Sequence, residues 1–338
     1  MTLAIIHIKD PMTGVVLKFQ SGDGVLISGS VRIQGGKSAS TLDIELADPL
    51  LKLANTLPLP TRNDRIAIEC WLGRSNKPPK VFAGYVSQIT ATGAPGRLKI
   101  MAVDKSKGMR RVPRSRNLTA GTPGDVFRRL CEPAGIRVDL SRADLNDVQF
   151  AQVLQQGETD AEVVSRLLGE VGHYGWYENE TLYIISRGRV RDDGPPIRLL
   201  YGTNIKSYQF AIDELTRETT PNLFDMEGEQ LAGLADTEAS EQPVELSRSA
   251  GLHLAAGGFP SYTDTQVEQI KKAHGRAKKI FSASIESTDA FPGASLDDAV
   301  IIEGMGQRFS GVWLIDSITH SLRDARTSFS LYNAGSAP

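Results

Sequence analysis

The chain has 338 residues, 40% hydrophobic and 23% charged, which is enough to bury a core without disulfides and too apolar for wholesale disorder. Its 38 Lys and Arg against 40 Asp and Glu leave a formal charge of −2, which excludes a global field selecting polyanions or anionic membranes. No window reaches the roughly 18 apolar residues of a membrane span, and the opening Met1 to Asp10 lacks the basic and apolar regions of a secretory leader, so a chain made in a cytoplasm without membrane insertion is expected.

In chain order, Val25 to Ile33, Thr41 to Leu46, Arg65 to Leu72, Val81 to Ile89 and Gly96 to Val103 place apolar residues at every second position, the period of half-buried strands. Their spacing predicts an antiparallel sandwich or small barrel over residues 1–108, with Asp48 to Ala54 as the one helical turn. After Asp104 comes a basic run, Lys105, Lys107, Arg110, Arg111, Arg114 and Arg116, without an acid. Thr122-Pro123-Gly124-Asp125 then offers an N-cap, a proline at the first helical position and a first-turn acid, ahead of Val126, Phe127 and Leu130 and a stop at Gly135. Thr159-Asp160-Ala161-Glu162 is a capping box before Val163, Val164, Leu167, Leu168 and Val171. Strands at Ile136 to Leu140 and Tyr177 to Ile185, the latter turning at Glu178-Asn179-Glu180, complete a small α/β insert over 109–190. From 191 to 338 strand patterns return at Ile197 to Leu200, Ile205 to Ile212, Ala299 to Glu303, Gly311 to His320 and Thr327 to Tyr332. Between them the segment 218–245, with eight acids and no Lys or Arg, reads as a long exposed loop. A helix over 264–283 follows it, capped by Thr263 and Gln266, with Val267, Ile270, Ala273, His274, Ala277 and Phe281 on one face. The fold class is mainly β with an α/β insert.

Motifs for chemistry are absent or have simpler readings. His7, His173, His253, His274 and His320 are scattered, with no pair at ligand spacing, so no metal site is expected. Cys70 and Cys131 have no CxxC companion. Gly36-Lys37-Ser38 ends like a phosphate-binding loop, but position 31, where that loop needs glycine, holds Val31. Gly304-Met305-Gly306 lacks a third glycine and leads into a strand. The carboxylates Glu158, Asp160 and Glu162 could serve glycan cleavage, yet helix capping explains their position. The basic run could grip phosphates but has no interleaved aromatic for base stacking, and reads as a solvated connector or a surface for an acidic partner. His173-Tyr174-Gly175-Trp176-Tyr177 could stack on a sugar, though alternation into the hairpin favours packing. No catalytic residues and no cofactor are expected.

Three segments together resemble a known family. Phe150 to Trp176, with Glu158-Thr159-Asp160 before a helix and then Glu170-Val171-Gly172-His173-Tyr174-Gly175-Trp176, is similar to a signature of phage tail hub proteins. Phe291-Pro292-Gly293, Gly311 to Leu322 and Thr327 to Leu331 resemble their closing strands, and the helix from Val267 to Phe281 falls where that family places one. The chain thus resembles the late-control D-type baseplate hub of contractile tails, related to the base of type VI secretion spikes and to hubs of phage-like injection particles. The resemblance implies two tail-tube-like β-barrels flanking the insert. It implies a homotrimer that adapts the hexameric tail tube to a trimeric central spike and encloses the channel. Its partners would be itself, the tail tube protein, the spike, other baseplate proteins and the tape-measure protein, with no tight nucleic acid binding. Its place would be the virion baseplate or a phage-like particle, assembled in the bacterial cytoplasm. The alternative reading is a tail-associated module that binds or cleaves peptidoglycan.

Overall fold

The computed structural model describes residues 3–10, 14, 16–36, 38–57, 66–75, 77–93, 96–119, 121–145, 150, 153–186, 196–212, 223–224, 230–232 and 281–333. The first part holds β1 (Leu3–Lys9), β2 (Val16–Gln20), β3 (Leu26–Gln34), β4 (Thr41–Ala47), the short helix α1 (Lys52–Thr56), β5 (Ala67–Gly73), β6 (Lys80–Thr92) and β7 (Arg97–Asp104). The middle part holds β8 (Arg114–Leu118), α2 (Pro123–Cys131), β9 (Arg137–Arg142), β10 (Val153–Glu158), α3 (Asp160–Glu170), β11 (His173–Glu178) and β12 (Thr181–Ser186). The last part holds β13 (Ile197–Leu200), β14 (Ile205–Ile212), the short pair β15 (Leu223–Phe224) and β16 (Gln230–Ala232), then β17 (Phe281–Ser287), β18 (Ala299–Glu303), β19 (Gly311–Ser321) and β20 (Arg326–Asn333).

Alternation dictates the sheet. Leu42, Ile44 and Leu46 of β4 and Ile68, Cys70 and Leu72 of β5 are all buried, while the residues between them are less so. The helices begin where their caps are. Thr122 accepts from the Asp125 amide ahead of Pro123, and Thr159 forms a complete capping box with Glu162. At the end of α2 a single 3-10 turn runs to Gly135, whose φ of 67° is the left-handed stop expected of glycine. Asn179 and Glu180, at φ 45° and 72°, make the tight turn between β11 and β12. Two apolar clusters result. One runs through the strands of the first and last parts, and the other through α2, α3 and the strands packed on them.

Thirteen strands form one sheet, in the order β14-β17-β20-β19-β3-β4-β7-β6-β5-β1-β2, with β18 beside β19 and β13 beside β18. The two β-rich parts are thus joined through the antiparallel ladder of β19 with β3, and no closed barrel occurs among the described strands. The same topology appears twice. The path β3-β4-β7-β6-β5 in the first part has the order, antiparallel sense and chain sequence of β14-β17-β20-β19-β18 in the last. The irregularities coincide as well. β6 breaks register between Val86 and Gln88 against β7, and β19 between Ile315 and Ser317 against β20. β3 breaks register between Leu26 and Ser28 against β4, and β14 between Ile205 and Ser207 against β17. With those breaks superposed, Ser28, Glu45 and Arg97 correspond to Ser207, Glu286 and Arg326. Ser28 Oγ donates to Glu45 at 3.2 Å and Ser207 Oγ to Glu286 at 3.3 Å, while the arginines lie 2.9 Å and 3.7 Å from the same carboxylates.

One sequence expectation is corrected. Phe281, Ser282 and Ala283, assigned to the end of a helix over 264–283, open β17 instead, because Phe281, Ala283 and Ile285 continue the period of two. Residues 264–280 and most of 218–245 lie outside the described residues. Strands β1, β2, β8 and β10 were not anticipated as strands, nor were β15 and β16, which lie within the segment read as a loop.

His320, on β19, is fully buried and faces Val31 of β3 and Thr327 of β20. Its Nδ1 lies 3.0 Å from Thr327 Oγ1, whereas Nε2 is buried without a partner. Burial holds its pKa down to about 4, against 6.5 for a free imidazole. The unfolded chain therefore takes up this proton first: stability is complete above pH 6.5 and declines as pH falls through about 4. We expect urea denaturation at pH 7 and pH 4 to show about 3 kcal/mol more acid loss in the native chain than in His320→Gln. An equal loss in both would separate His320 from acid lability.

Candidate assembly interface

Most of the described side chains singled out from sequence make internal contacts. Of the basic run, Lys105 is 2.5 Å from Glu180, Lys107 donates to the Val86 carbonyl at 2.8 Å, and Arg110 donates to Ser106 and lies over the Tyr177 ring. Desolvation, with Arg111 nearby, lowers the Lys107 pKa. Arg114 and Arg116 clamp the Asp160 carboxylate at 3.4 Å and 2.7 Å, and Arg116 also donates to Gln155. Of the three carboxylates, Glu162 closes the capping box, Asp160 takes the two arginines, and Glu158 receives both Nε and Nη2 of Arg166 at 3.0 Å. The structure brings them together at the start of α3, but each is committed to the insert's own stability.

The aromatic cluster likewise packs. Trp176 is fully buried, stacks on Tyr183 at 5.3 Å and donates to Glu178 at 3.0 Å. Tyr177 is buried, and His173 is held by the Val171 carbonyl and by Ser186. Together they seat the insert on the sheet. Gly35 forms a bridge with Trp176, the Gly36 amide donates to Gly175 at 2.9 Å, Ser40 Oγ donates to the Tyr177 carbonyl, and Ser295 reaches Glu178. A Cβ on Gly35 would lie 2.4 Å from the Tyr174 ring, so a side chain there would have to displace that ring. Burial raises the Glu178 pKa and raises both thiols, Cys131 to about 12.

A patch that sequence reading missed lies at one edge of the sheet. β14 is its last strand and pairs only with β17 among the described residues. Lys206, Ser207, Tyr208, Gln209 and Ala211 are all exposed there. Tyr208 packs edge-on to Tyr201 and, at 5.7 Å, beside Phe210, which stacks on Phe309 at 4.4 Å and leans on Trp313. Tyr201 and Tyr208 remain 53% and 49% exposed, and Leu200, next to Tyr201, is exposed as well, so the strand edge carries an exposed apolar patch. The available signal was Tyr208-Gln209-Phe210 in a strand pattern, but alternation does not tell an edge strand from a central one. Among the described residues no group of His, Cys, Asp and Glu could hold a metal ion, and no helix is long and apolar enough to cross a membrane.

The sheet, the insert between its two parts and the exposed aromatic edge can be compared with known structures. The 43 kDa tail protein of prophage MuSo2 from Shewanella oneidensis is 18% identical, with 99% of this chain and 100% of that one aligned at a TM-score of 0.61. A tail protein from Neisseria meningitidis is 13% identical over 98% of this chain and 97% of its own, at 0.64. This chain has the fold of phage tail proteins. The same fold extends to an E. coli component of the type VI secretion system, described as similar to T4 bacteriophage tail proteins gp27 and gp5, at 14% identity over 91% of this chain and 73% of that one, TM-score 0.54. No protein-family model matches the sequence, and no curated protein matches it. The likeness to hub proteins read from the sequence therefore agrees with the fold.

Because the Asp160 side chain is only 6% exposed, removing one of its arginines leaves a poorly compensated buried charge. Arg116→Ala should lower the unfolding free energy by about 2 kcal/mol in urea titration. A change confined to DNA affinity, with stability intact, would contradict the internal role.

Proposed function

We propose that the chain is a structural hub of a contractile tail or injection particle, a homotrimer around an open channel. Its parts would be a first tube-like barrel over 1–108, the insert over 109–190 and a second barrel over 191–338. The observation that carries this reading is the doubled strand topology. Two copies of one unit in each chain let three chains present six equivalent units to a sixfold tube while the insert and loops keep threefold symmetry for a spike. An adaptor between a sixfold and a threefold body needs that combination.

The partners that fit are a second and third copy of this chain, the tail tube, the central spike, neighbouring baseplate proteins and the tape-measure protein, in a particle assembled in the bacterial cytoplasm. A channel that passes cargo without holding it gains nothing from free arginines, in keeping with the internal ion pairs of Lys105, Arg114 and Arg116. Catalysis has no part in this role. The peptidoglycan reading loses its support, since Glu158, Asp160 and Glu162 are paired and the His173 to Tyr177 aromatics face the protein.

Light scattering of the purified protein should give about three times the mass of one chain, and electron-microscopic averages of the same sample should show a ring of six lobes with an open centre. A single-chain mass at every concentration, together with clearing of a cell-wall suspension, would overturn the hub reading.

A further inference from the structure

The repeated topology singles out two strand edges with no partner among the described residues. Within the chain, β19 pairs along its first half with β18 and along its second half, Ser317 to Ser321, with β3. In the other repeat β6 corresponds to β19. Its first half pairs with β5, but Ser87 to Thr92 have no strand on that side among the described residues and are mostly exposed. The strand corresponding to β3 is β14, whose outer edge has no partner among the described residues. Each chain therefore carries both halves of the contact that β19 and β3 make internally, and cannot join them to each other, because they lie at separate places in one sheet.

We propose that β14 of one copy pairs antiparallel with Ser87 to Thr92 of the next copy's β6, reproducing the β3–β19 ladder between subunits. This rests on the homotrimer reading above and names the surface that makes it. The matched register breaks fix the alignment. Ile318, Thr319, His320 and Ser321 correspond to Ile89, Thr90, Ala91 and Thr92, while Arg32, Val31 and Ser30 correspond to Ala211, Phe210 and Gln209. The internal pairs Thr319 with Arg32, His320 with Val31 and Ser321 with Ser30 then become Thr90 with Ala211, Ala91 with Phe210 and Thr92 with Gln209 of the neighbour.

Side-chain sizes are complementary in that register. In the internal ladder the Leu322 amide donates to the Gly29 carbonyl, and the Leu322 side chain fills the space over Gly29, where an added Cβ would meet it at 3.1 Å. The corresponding positions are Gly93 and Tyr208, so the bulk moves to the other strand. A Cβ on Gly93 would meet nothing within 4 Å in the isolated chain, and Tyr208 is half exposed. Likewise the large His320 beside Val31 becomes the small Ala91 beside the large Phe210. Tyr208 and Phe210 sit on the core side of the sheet, Tyr208 opposite the fully buried Ile285, and end the apolar layer abruptly. Gln209 and Ala211 lie on the other face, against Thr90 and Thr92. A head-to-tail contact of this kind closes into a ring by rotation and shields an edge that carries no proline and only one lysine, Lys206, itself 2.7 Å from Glu286.

The test places Thr90→Cys and Ala211→Cys in one chain, with Thr92→Cys and Gln209→Cys as a second pair. All four positions are exposed, and the native Cys70 and Cys131 are buried. Mild oxidation should link chains into dimers and trimers on a non-reducing gel, and peptide mapping should join residue 90 of one chain to 211 of another. Ala91→Arg, which fills the space for the neighbour's Phe210, should shift light scattering to the single-chain mass with an unchanged circular dichroism spectrum. A trimeric mass with no link from either pair, or Ala91→Arg remaining trimeric, would overturn this pairing and leave the homotrimer standing. An unmodified protein that is a single chain at every concentration would overturn both.

Discussion

The ladder between β3 and β19 is the contact on which the rest of the molecule depends. It joins segments from opposite ends of the chain, and five residue pairs carry it, from Ser317 with Gln34 to Ser321 with Ser30. Among the described strands, the others of the first part are linked by backbone ladder to the last part only by way of this seam, so its side chains see both repeats at once. That explains why the inward face of the seam, Val31, Ile33, Ile318 and Leu322, is apolar and why His320 on that face is neutral: a charge there would be buried among those side chains. Nearby charged groups point elsewhere. Arg32 is on the exposed face, Arg326 reaches Glu286, and Asp289 meets Arg74.

The insert solves a different problem, which is how to interrupt a continuous sheet without leaving its own polar ends buried. It holds itself together with charge, through Arg114 and Arg116 on Asp160 and Arg166 on Glu158 and Glu170, around an apolar cluster closed by Phe127 and Phe150. It then fastens to the sheet with backbone and aromatics at Gly35 and Trp176 rather than with ion pairs alone. Desolvation raises the Glu170 pKa, and Arg166 opposes it. Breaking such a pair costs more than forming it gains, so these charges fix geometry more than they add stability.

Much of this was legible in the residues. The caps at Thr122 and Thr159 are local chemistry, and the strands from β3 to β7 announce themselves by period, because each has one wet face and one dry one. The doubling was not legible. Its marks are Ser28 with Ser207, Ile44 with Ile285, Glu45 with Glu286 and Arg97 with Arg326, single residues separated by the whole insert, and only hydrogen-bond register aligns them. The basic run misled for the opposite reason, since a sequence shows six cations together while the acids that pair with three of them, Glu180 with Lys105 and Asp160 with Arg114 and Arg116, come dozens of positions later. β1 and β2 escaped because a chain start reads poorly by pattern, and Phe281 was assigned to a helix because it falls at both helical and strand spacing.

The two repeats differ most where equivalence would be costly. At the internal seam a strand from each repeat meets inside one chain, so bulk is distributed as Leu322 over Gly29 and His320 beside Val31. At the outer edges the same positions carry Tyr208 and Phe210 on one strand and Gly93 and Ala91 on the other. Two contacts of equal geometry but opposite bulk cannot readily be exchanged: setting Tyr208 against Leu322, or Phe210 against His320, would crowd two large side chains into one place. The arrangement therefore favours the internal seam closing within a chain and the outer edges closing between chains. Mixed pairing, which would lead to swapped or open-ended assemblies, is penalised by the side chains themselves.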